Sequence, residues 1–445
     1  MLTTRRRFMT QASTITLPMI APRAGRAAGR RLIAGIMGCG GRGTVLAGYF
    51  ARRDDVTIKY ICDVDQTRFP RIASTIEDIT GEIPKRVTDF RRMLEDSDVD
   101  IIVNATPNHW HGPGTVYACQ AGKHVYVEKP VSHNLWEGRK MVEAARKYKC
   151  VVQGGMQDRS GEYLYQAEDY IQSGKIGQVH QVRCVEMLNR RWEWYNVQKP
   201  IPDGLDWDMY CGPAPLIPFP STRMNRLVWD FTVGPIFNDA IHHVDIARWV
   251  LGLKYPEAVH CTGGTYVQKD DRETPDSILY TWEYPDLLYT LRGSLQTPYI
   301  QIAPYEHESV AGAIPTHGEF PDWLFNSTRI EIYGTEGMML IGRHGGGWQV
   351  FGPDGGLVAS IPGRMQTDQH IQNFLDCIRN GGLPVCDIEA AHISTALGHI
   401  GNISYRLGKR QLRFDGASER FTKDNEANLM LKRTYREPWV IHEEV

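Results

Sequence analysis

Lys129 stands in Glu128-Lys129-Pro130, directly after an apolar run. A lysine so placed can hydrogen-bond a hydroxyl group and favour its alkoxide. His242 stands in Asn238-Asp239-Ala240-Ile241-His242-His243-Val244-Asp245. On a helix, Asn238 lies four residues before His242, and Asp239 and Asp245 lie three to either side, so all four share one face. A carboxylate beside an imidazole orients the ring and raises its basicity. That set suits a general base that takes a hydroxyl proton while hydride leaves carbon. His243 is the weaker candidate, its side chain open between the core and the substrate.

Hydride needs an acceptor, and the chain offers a place for one. The apolar run 31–37 (RLIAGIM) leads into Gly38-Cys39-Gly40-Gly41-Arg42-Gly43, a match to G-x-G-x-x-G. Gly38 permits a tight turn, Gly40 close approach to a pyrophosphate, and Gly43 close packing of helix on strand. The pyrophosphate then meets a helix N-terminus, with Gly41 and Arg42 beside it. Asp63 closes the next apolar run, 56–62, about 25 residues on. It would accept hydrogen bonds from the adenosine ribose and repel a 2′-phosphate, which favours NAD over NADP. Asp65 reads as a solvated carboxylate. Thr106-Pro107-Asn108-His109 ends the run 100–104, and Glu128-Lys129-Pro130 ends the run 123–127. In open parallel sheets ligands bind beyond the carboxyl ends of strands, so Thr106, Pro107, Asn108, His111, Glu128 and Lys129 point at one crevice. For His109 and His111 a cofactor role and simple capping of the following helix stand as equal alternatives. Pro130 fixes the direction of Lys129 by its stiff bond.

These motifs need strands and helices to hold them. Strand-like runs at 31–37, 56–62, 100–104, 123–127 and 150–153 alternate with helical runs at 42–53, 90–96, 114–121 and 135–148. Alternation with nearly continuous apolar strands predicts a parallel sheet covered on both faces, a Rossmann-type domain over 30–155. After a helix at 162–172, strand runs at 178–187, 259–267, 277–284, 288–295, 329–333 and 338–341 predict a mostly antiparallel sheet. The helix 238–251 interrupts them, and 192–220 reads as long loops. The fold class is therefore α/β: an N-terminal Rossmann domain with a parallel sheet, plus an α+β domain with an open-faced, mostly antiparallel sheet over 156–365. Helices return from 368, and 366–445 reads as a C-terminal helical extension whose tail wraps the surface.

The 445 residues are too many for one core. Residues 1–28 hold five arginines and no acid; without them 45 Lys and Arg face 52 Asp and Glu, a balance of −7. A mildly acidic body gives no support for a nucleic-acid or anionic-membrane partner. Nine cysteines with no C-x-x-C and no zinc spacing argue against a disulfide scaffold, and no metal site is expected. Thr4-Arg5-Arg6-Arg7-Phe8-Met9, a weakly apolar stretch and small residues near 24–29 read as a twin-arginine export signal over 1–29. Nothing later has the ~18 apolar residues of a membrane span.

With these residues in hand, the chain resembles the Gfo/Idh/MocA family of glucose–fructose oxidoreductase and inositol dehydrogenase-like enzymes. The likeness spans roughly 31–439 and rests on GCGGRG, CDVD, NATPNHWH, VEKP and the HHVD helix. The ending, Glu426-Ala427-Asn428 through Tyr435-Arg436-Glu437-Pro438-Trp439, is similar to a bacterial branch that often carries twin-arginine signals. The resemblance implies a homo-oligomer joined through the open sheet, with Lys129 and His242 as the catalytic pair. It also implies substrate contacts from Gln157 and Arg159. Family members commonly carry the acid four residues before this histidine; here that position is Asn238 and the acid is Asp239, so either completes the set. An exported enzyme implies a periplasmic location, the twin-arginine machinery as a partner, and tightly held NAD. Three functions compete: an oxidoreductase on a sugar, glycoside or cyclitol hydroxyl; a glycosidase that oxidises and re-reduces its substrate; and a ligand-binding relative without catalysis. The related glycosidase branch typically lacks the lysine of E-K-P, and Lys129 is present.

Overall fold

The computed structural model describes residues 30–190, 192–220, 224–297, 316–317, 320–323 and 326–445. The expected export signal, 1–29, lies outside the described residues.

Six short strands form the first sheet: β1 (Leu32–Met37), β2 (Val56–Cys62), β3 (Lys85–Val87), β4 (Ile101–Asn104), β5 (His124–Val127) and β6 (Val152–Gly154). All pairs are parallel, in the order β3-β2-β1-β4-β5-β6. Helices α1 (Gly41–Ala51), α2 (Phe69–Thr80), α3 (Arg91–Glu95), α4 (Asn108–Gln120) and α5 (Leu135–Lys147) connect them. The strand order reverses between β1 and β4, and a crevice opens beyond the strand ends at that point. Helix α2 has no counterpart among the helical runs expected from the sequence, and it carries Pro70 in its first turn. Proline is tolerated in a first turn, and Phe69, Ile72, Ala73 and Ile76 make a buried helical stripe. Helix α4 begins at Asn108, six residues before the expected start, and runs through Pro113. Pro113 has no N–H to give the carbonyl of His109, and Arg433 Nη2 donates to that carbonyl instead at 3.4 Å.

After α6 (Glu162–Gln172) the chain enters the large sheet with β7 (Val179–Met187), passes the short helices α7 (Trp207–Cys211) and α8 (Met224–Leu227), and makes the buried helix α9 (Pro235–Val250). Strands β8 (Ala258–Gly264), β9 (Ser277–Tyr284) and β10 (Leu287–Ser294) follow; β11 (Thr316–His317) and β12 (Phe320–Pro321) pair apart. The rest of the sheet is β13 (Thr328–Gly334), β14 (Met338–Gly342), β15 (Trp348–Phe351) and β16 (Leu357–Ile361). All its neighbours are antiparallel except β7 and β10, so the mostly antiparallel expectation holds.

Residues 366–445 are not a separate extension. Helix α10 (Thr367–Asn380) sends Ile371, Phe374 and Leu375 into one core with Leu46, Phe50 and Tyr126 of the Rossmann layer. Helix α11 (Ile388–Arg406) packs on α5, α9 and β8. Strands β17 (Leu412–Asp415) and β18 (Arg420–Phe421) lengthen the large sheet beside β8, and α12 (Asn425–Leu429) follows. Trp439 in the tail is buried against Trp110, ring centroids 5.1 Å apart. The apolar side chains of this stretch are shared between both sheets, so neither layer closes its core without them. All nine cysteines are unpaired and buried, as small apolar fillers.

Candidate active site

Four glycines shape the loop at the head of the crevice. Gly38 has φ +97°, and a Cβ there would meet the Ala105 carbonyl oxygen at 2.6 Å. A Cβ on Gly43 would lie 1.8 Å from the Gly38 oxygen, so Gly43 serves the packing of α1 against the loop and does not line the crevice. Gly40 caps α1 with no side-chain hydrogen bond, and Gly41 faces open space. The first N–H groups of α1 are thus left for an anion. Asp63 accepts from the N–H of Cys39 (2.7 Å) and of Asp65 (2.9 Å), which pins its carboxylate beside the loop. Burial pushes its pKa up, and those two N–H bonds oppose the shift. A bare-backbone cradle, a helix N-terminus and a fixed acid at the end of β2 fit a dinucleotide. Replacing Asp63 by Ala is expected to weaken NAD binding by about 1.5–3 kcal/mol, the worth of hydrogen bonds to a charged group. It should also strengthen NADP binding relative to NAD binding, since the carboxylate repels a 2′-phosphate. Titration of both cofactors checks this; tighter NADP binding by the unaltered protein contradicts it.

The crevice continues into a cleft of about 1060 Å³. Gly38, Gly40, Gly41, Arg42, Asp63, Thr106, Pro107, Asn108, His111, Glu128 and Lys129 line one part, and Gln157, Asn238, Asp239 and His242 the other. Lys129 does not pair with Glu128. Its ammonium crosses the cleft to donate to the carbonyl of Asn238 (2.7 Å) and to Asp239 Oδ1 (3.4 Å). Glu128 takes Arg42 Nε at 2.7 Å instead. The Lys129–Pro130 peptide is cis. His111 bridges the carbonyls of Pro130 and Thr106, at 2.7 Å each, and so ties the two strand ends together. Thr106 Oγ1 donates to Asn104 Oδ1 at 2.6 Å. Burial lowers the pKa of Lys129, with Asp239 opposing. For Asp239 burial works upward, but Lys129 and Arg343 outweigh it and hold the carboxyl well below its usual range. Asp239 rather than Asn238 is therefore the acid that meets Lys129.

His242 sits on α9 with Nδ1 sealed inside and its other edge toward the cleft. Its carboxylate neighbour is neither Asp239 nor Asp245. It is Asp158, in the 3₁₀ turn Gln157–Ser160, with Oδ2 3.3 Å from His242 Nδ1. His344 flanks the same oxygen at 3.2 Å and stacks edge-on against His242, centroids 4.5 Å apart. Burial lowers the pKa of both imidazoles, and interaction with the two histidines pulls the Asp158 carboxyl well below its usual range against its own burial. No spacing in the sequence announces this trio. Its members come from three distant stretches, and only the packing of α9 on the 3₁₀ turn and the large sheet, whose strand β14 leads to His344, unites them.

Other expected contacts fall elsewhere. Arg159 lies in the core, clamped by Asp245 through Nε (2.7 Å) and Nη2 (2.8 Å), and is absent from the cleft wall. His243 is fully buried 2.9 Å from Glu186 on β7, on the side of α9 away from the cleft. The causes differ: Asp245 on α9 draws Arg159 of the 3₁₀ turn into the core, and His243, next to His242 on α9, points to the other side of that helix. His109 is buried too, its Nε2 2.7 Å from the Tyr210 carbonyl, and it joins α4 to α7. Gln157 lines the cleft and donates to Tyr126 Oη at 2.8 Å. Tyr210 and Arg226, which the motifs do not indicate, also line it.

Residues 32–156 match the family model described as an oxidoreductase family with an NAD-binding Rossmann fold. Residues 164–340 match the GFO/IDH/MocA C-terminal domain, and 354–441 an oxidoreductase-family C-terminal alpha/beta domain. The chain belongs to the Gfo/Idh/MocA oxidoreductase family. It is 27% identical over 338 residues to the NAD(+) scyllo-inositol 2-dehydrogenase of Bacillus subtilis, covering 73% of this chain and 81% of that one. A glycosyl hydrolase family 109 protein of a Shewanella strain is 26% identical over 37% of either chain. The chain spans about three fifths of the length of other curated relatives it matches, 61% and 59%. Among solved structures, the WlbA dehydrogenase of Bordetella pertussis, in complex with NADH and UDP-GlcNAcA, superposes with a TM-score of 0.60 at 20% identity. That match covers 87% of this chain and 99% of the other and bears on the fold. Among the described residues no helix is long and apolar enough to cross a membrane.

Proposed function

We propose that this chain is an NAD-linked oxidoreductase acting on a CH–OH group of a sugar, glycoside or cyclitol. One observation carries the reading: Lys129, Asp239 and His242, with Asp158 behind its Nδ1, meet at the wall of the cleft that continues from the glycine loop and Asp63. NAD, held by that loop and Asp63, supplies the acceptor for hydride. Lys129 donates a hydrogen bond to the reacting hydroxyl and stabilises charge on its oxygen. Asp239 keeps the ammonium aimed. His242 takes the hydroxyl proton at Nε2, the nitrogen on the cleft side, while Asp158 behind Nδ1 favours the imidazolium that forms. The carbon loses its hydrogen as hydride, the hydroxyl oxygen loses its proton to His242, and the C–O bond becomes a carbonyl. Asn238 and Gln157 are placed to bind neighbouring hydroxyls.

Incubating the purified protein with a panel of sugars, glycosides and cyclitols tests the reading. Nicotinamide reduction by one class supports it. Sugar release without net reduction would instead mark the glycosidase, a reading the short family 109 match favours and Lys129 opposes. Silence from both signals would leave a binding protein.

Export and cofactor retention belong to the same proposal. Arg5-Arg6 is the element a twin-arginine route would read, and that route carries folded cargo. Outside the cytoplasm free NAD is scarce, so the cofactor must stay bound and be regenerated in place, by a second substrate or a redox-neutral reaction. A large buried ligand surface and an anion on a helix N-terminus suit such retention. Protein purified without added NAD is expected to release it only on denaturation, and Arg5→Lys with Arg6→Lys to leave the precursor in the cytoplasm. Cofactor-free periplasmic protein, or unimpaired export of the double variant, contradicts these expectations. Assembly into a homo-oligomer through the uncovered face of the large sheet, where Leu279 and Leu288 are exposed, completes the proposal.

A further inference from the structure

We propose that Asp158, His242 and His344 form a site for one divalent metal ion of the zinc class. We also infer that the ion, when bound, turns His242 from a proton acceptor into a donor. Occupancy stands on geometry alone; the second half rests on the function proposed above.

The geometry is that of a ligand set. Asp158 Oδ2 lies 3.3 Å from His242 Nδ1 and 3.2 Å from His344 Nδ1, and the three atoms fall within 4.8 Å of one another. A tetrahedral ion with nitrogen bonds of 2.0–2.1 Å has donor–donor edges of roughly 3.3 Å, so two edges already match. These contacts are short enough for hydrogen bonds, yet neither Asp158 Oδ2 nor His242 Nδ1 has a hydrogen-bond partner. Buried polar atoms left unpaired are costly, and an ion between them would satisfy both. The carboxylate is also prearranged: His344, at φ +52°, donates its backbone N–H to Oδ1 (3.0 Å) and leaves Oδ2 to the site.

The class of ion follows from the donors. Two imidazole nitrogens and one carboxylate oxygen suit zinc and its first-row neighbours, whereas magnesium prefers oxygen ligands and water. The side chains of Asp158, His242 and His344 are 2%, 4% and 3% exposed, so the ion would sit behind His242, out of a substrate's reach. It would not polarise the substrate. Bound at Nδ1, it forces the ring proton onto Nε2, and an Nε2–H cannot take a proton from a hydroxyl. Metal and catalytic proton thus compete for one imidazole.

The test is equilibrium dialysis of the full-length protein against zinc, with cobalt as a spectroscopic probe. One zinc per chain is expected, magnesium failing to compete, with tetrahedral cobalt bands free of thiolate charge transfer. Asp158→Asn and His344→Gln should each weaken binding by more than about 100-fold, beyond the loss from a supporting hydrogen bond. If either variant does not fold, the other and the cobalt spectrum decide. No stoichiometric zinc, or binding that both variants keep, overturns the site. In unaltered protein, turnover should fall over the same zinc concentrations that fill the site and return with a chelator. Filling without loss of turnover overturns the switch. The two readings part in His242→Ala: loss of zinc with turnover kept would sink the functional reading and keep the site.

Discussion

Replacing Lys129 by Met or His242 by Ala lowers turnover by roughly 10²–10⁴, with NAD affinity close to that of the unaltered protein. The cofactor cradle is built by Gly38, Gly40, Gly41 and Asp63, which neither change touches. Lys129 and His242 act on the same O–H, one on its oxygen and one on its proton. The double variant should therefore lose less than the product of the singles. Asp158→Asn should lower turnover by about 10–100-fold and leave KM nearly unchanged, because it removes the charge behind His242 without entering the cleft. Single-turnover rates measured with saturating NAD separate these effects. Fully multiplicative losses would mean that the lysine and the histidine do not cooperate.

Asp245→Ala destabilises the folded chain by about 3–5 kcal/mol, the cost of leaving a buried charge without its partner. Asp245 is 1% exposed and holds Arg159 by two bonds; Ser394 Oγ donates to it at 2.6 Å and in turn accepts from Arg248 Nε at 2.6 Å. One carboxylate thus links the 3₁₀ turn that carries Asp158, the helix that carries His242, and α11. Its loss leaves the Arg159 guanidinium buried with no acid. Arg159→Met combined with Asp245→Leu should recover much of the loss, since an apolar pair of similar volume avoids the desolvation of both ions. Denaturant midpoints report the change. An Asp245→Ala protein as stable as the unaltered one would contradict the role assigned to this pair, and a changed KM in a stable Arg159→Met protein would return Arg159 to the substrate.

The motifs that carry backbone chemistry were legible in the sequence. G-x-G-x-x-G, Asp63 and the strand-end pairs at Thr106 and Glu128 declare themselves because each sits at the boundary of an apolar run, and a parallel sheet sends all such boundaries to one side. Lys129 and His242 were legible for the same reason, one at a strand end and one on a helix with polar neighbours. Their partners were not. The helical spacing that suggested Asp239 and Asp245 for His242 is true of the backbone, but Asp239 finds a stronger attraction in Lys129 and Asp245 in Arg159. Asp158 and His344 reach His242 only through the packing of α9 over the large sheet, a contact between stretches that share no local pattern. The C-terminal segment was misread as an extension because its apolar residues are spaced for two different cores. Ile371 and Phe374 belong to the Rossmann layer and Phe414 to the large sheet.

Hydride transfer into the cofactor held at Gly38 to Asp63 is the central claim, and isotope transfer reads it most directly. A substrate found in the panel, carrying deuterium on the carbon of its reacting hydroxyl, is turned over once by protein with bound NAD, and the nicotinamide is then recovered. The account predicts deuterium on the nicotinamide ring in unaltered protein and none within the same time in the Lys129→Met or His242→Ala variants. Product formed with no deuterium in the nicotinamide would contradict it.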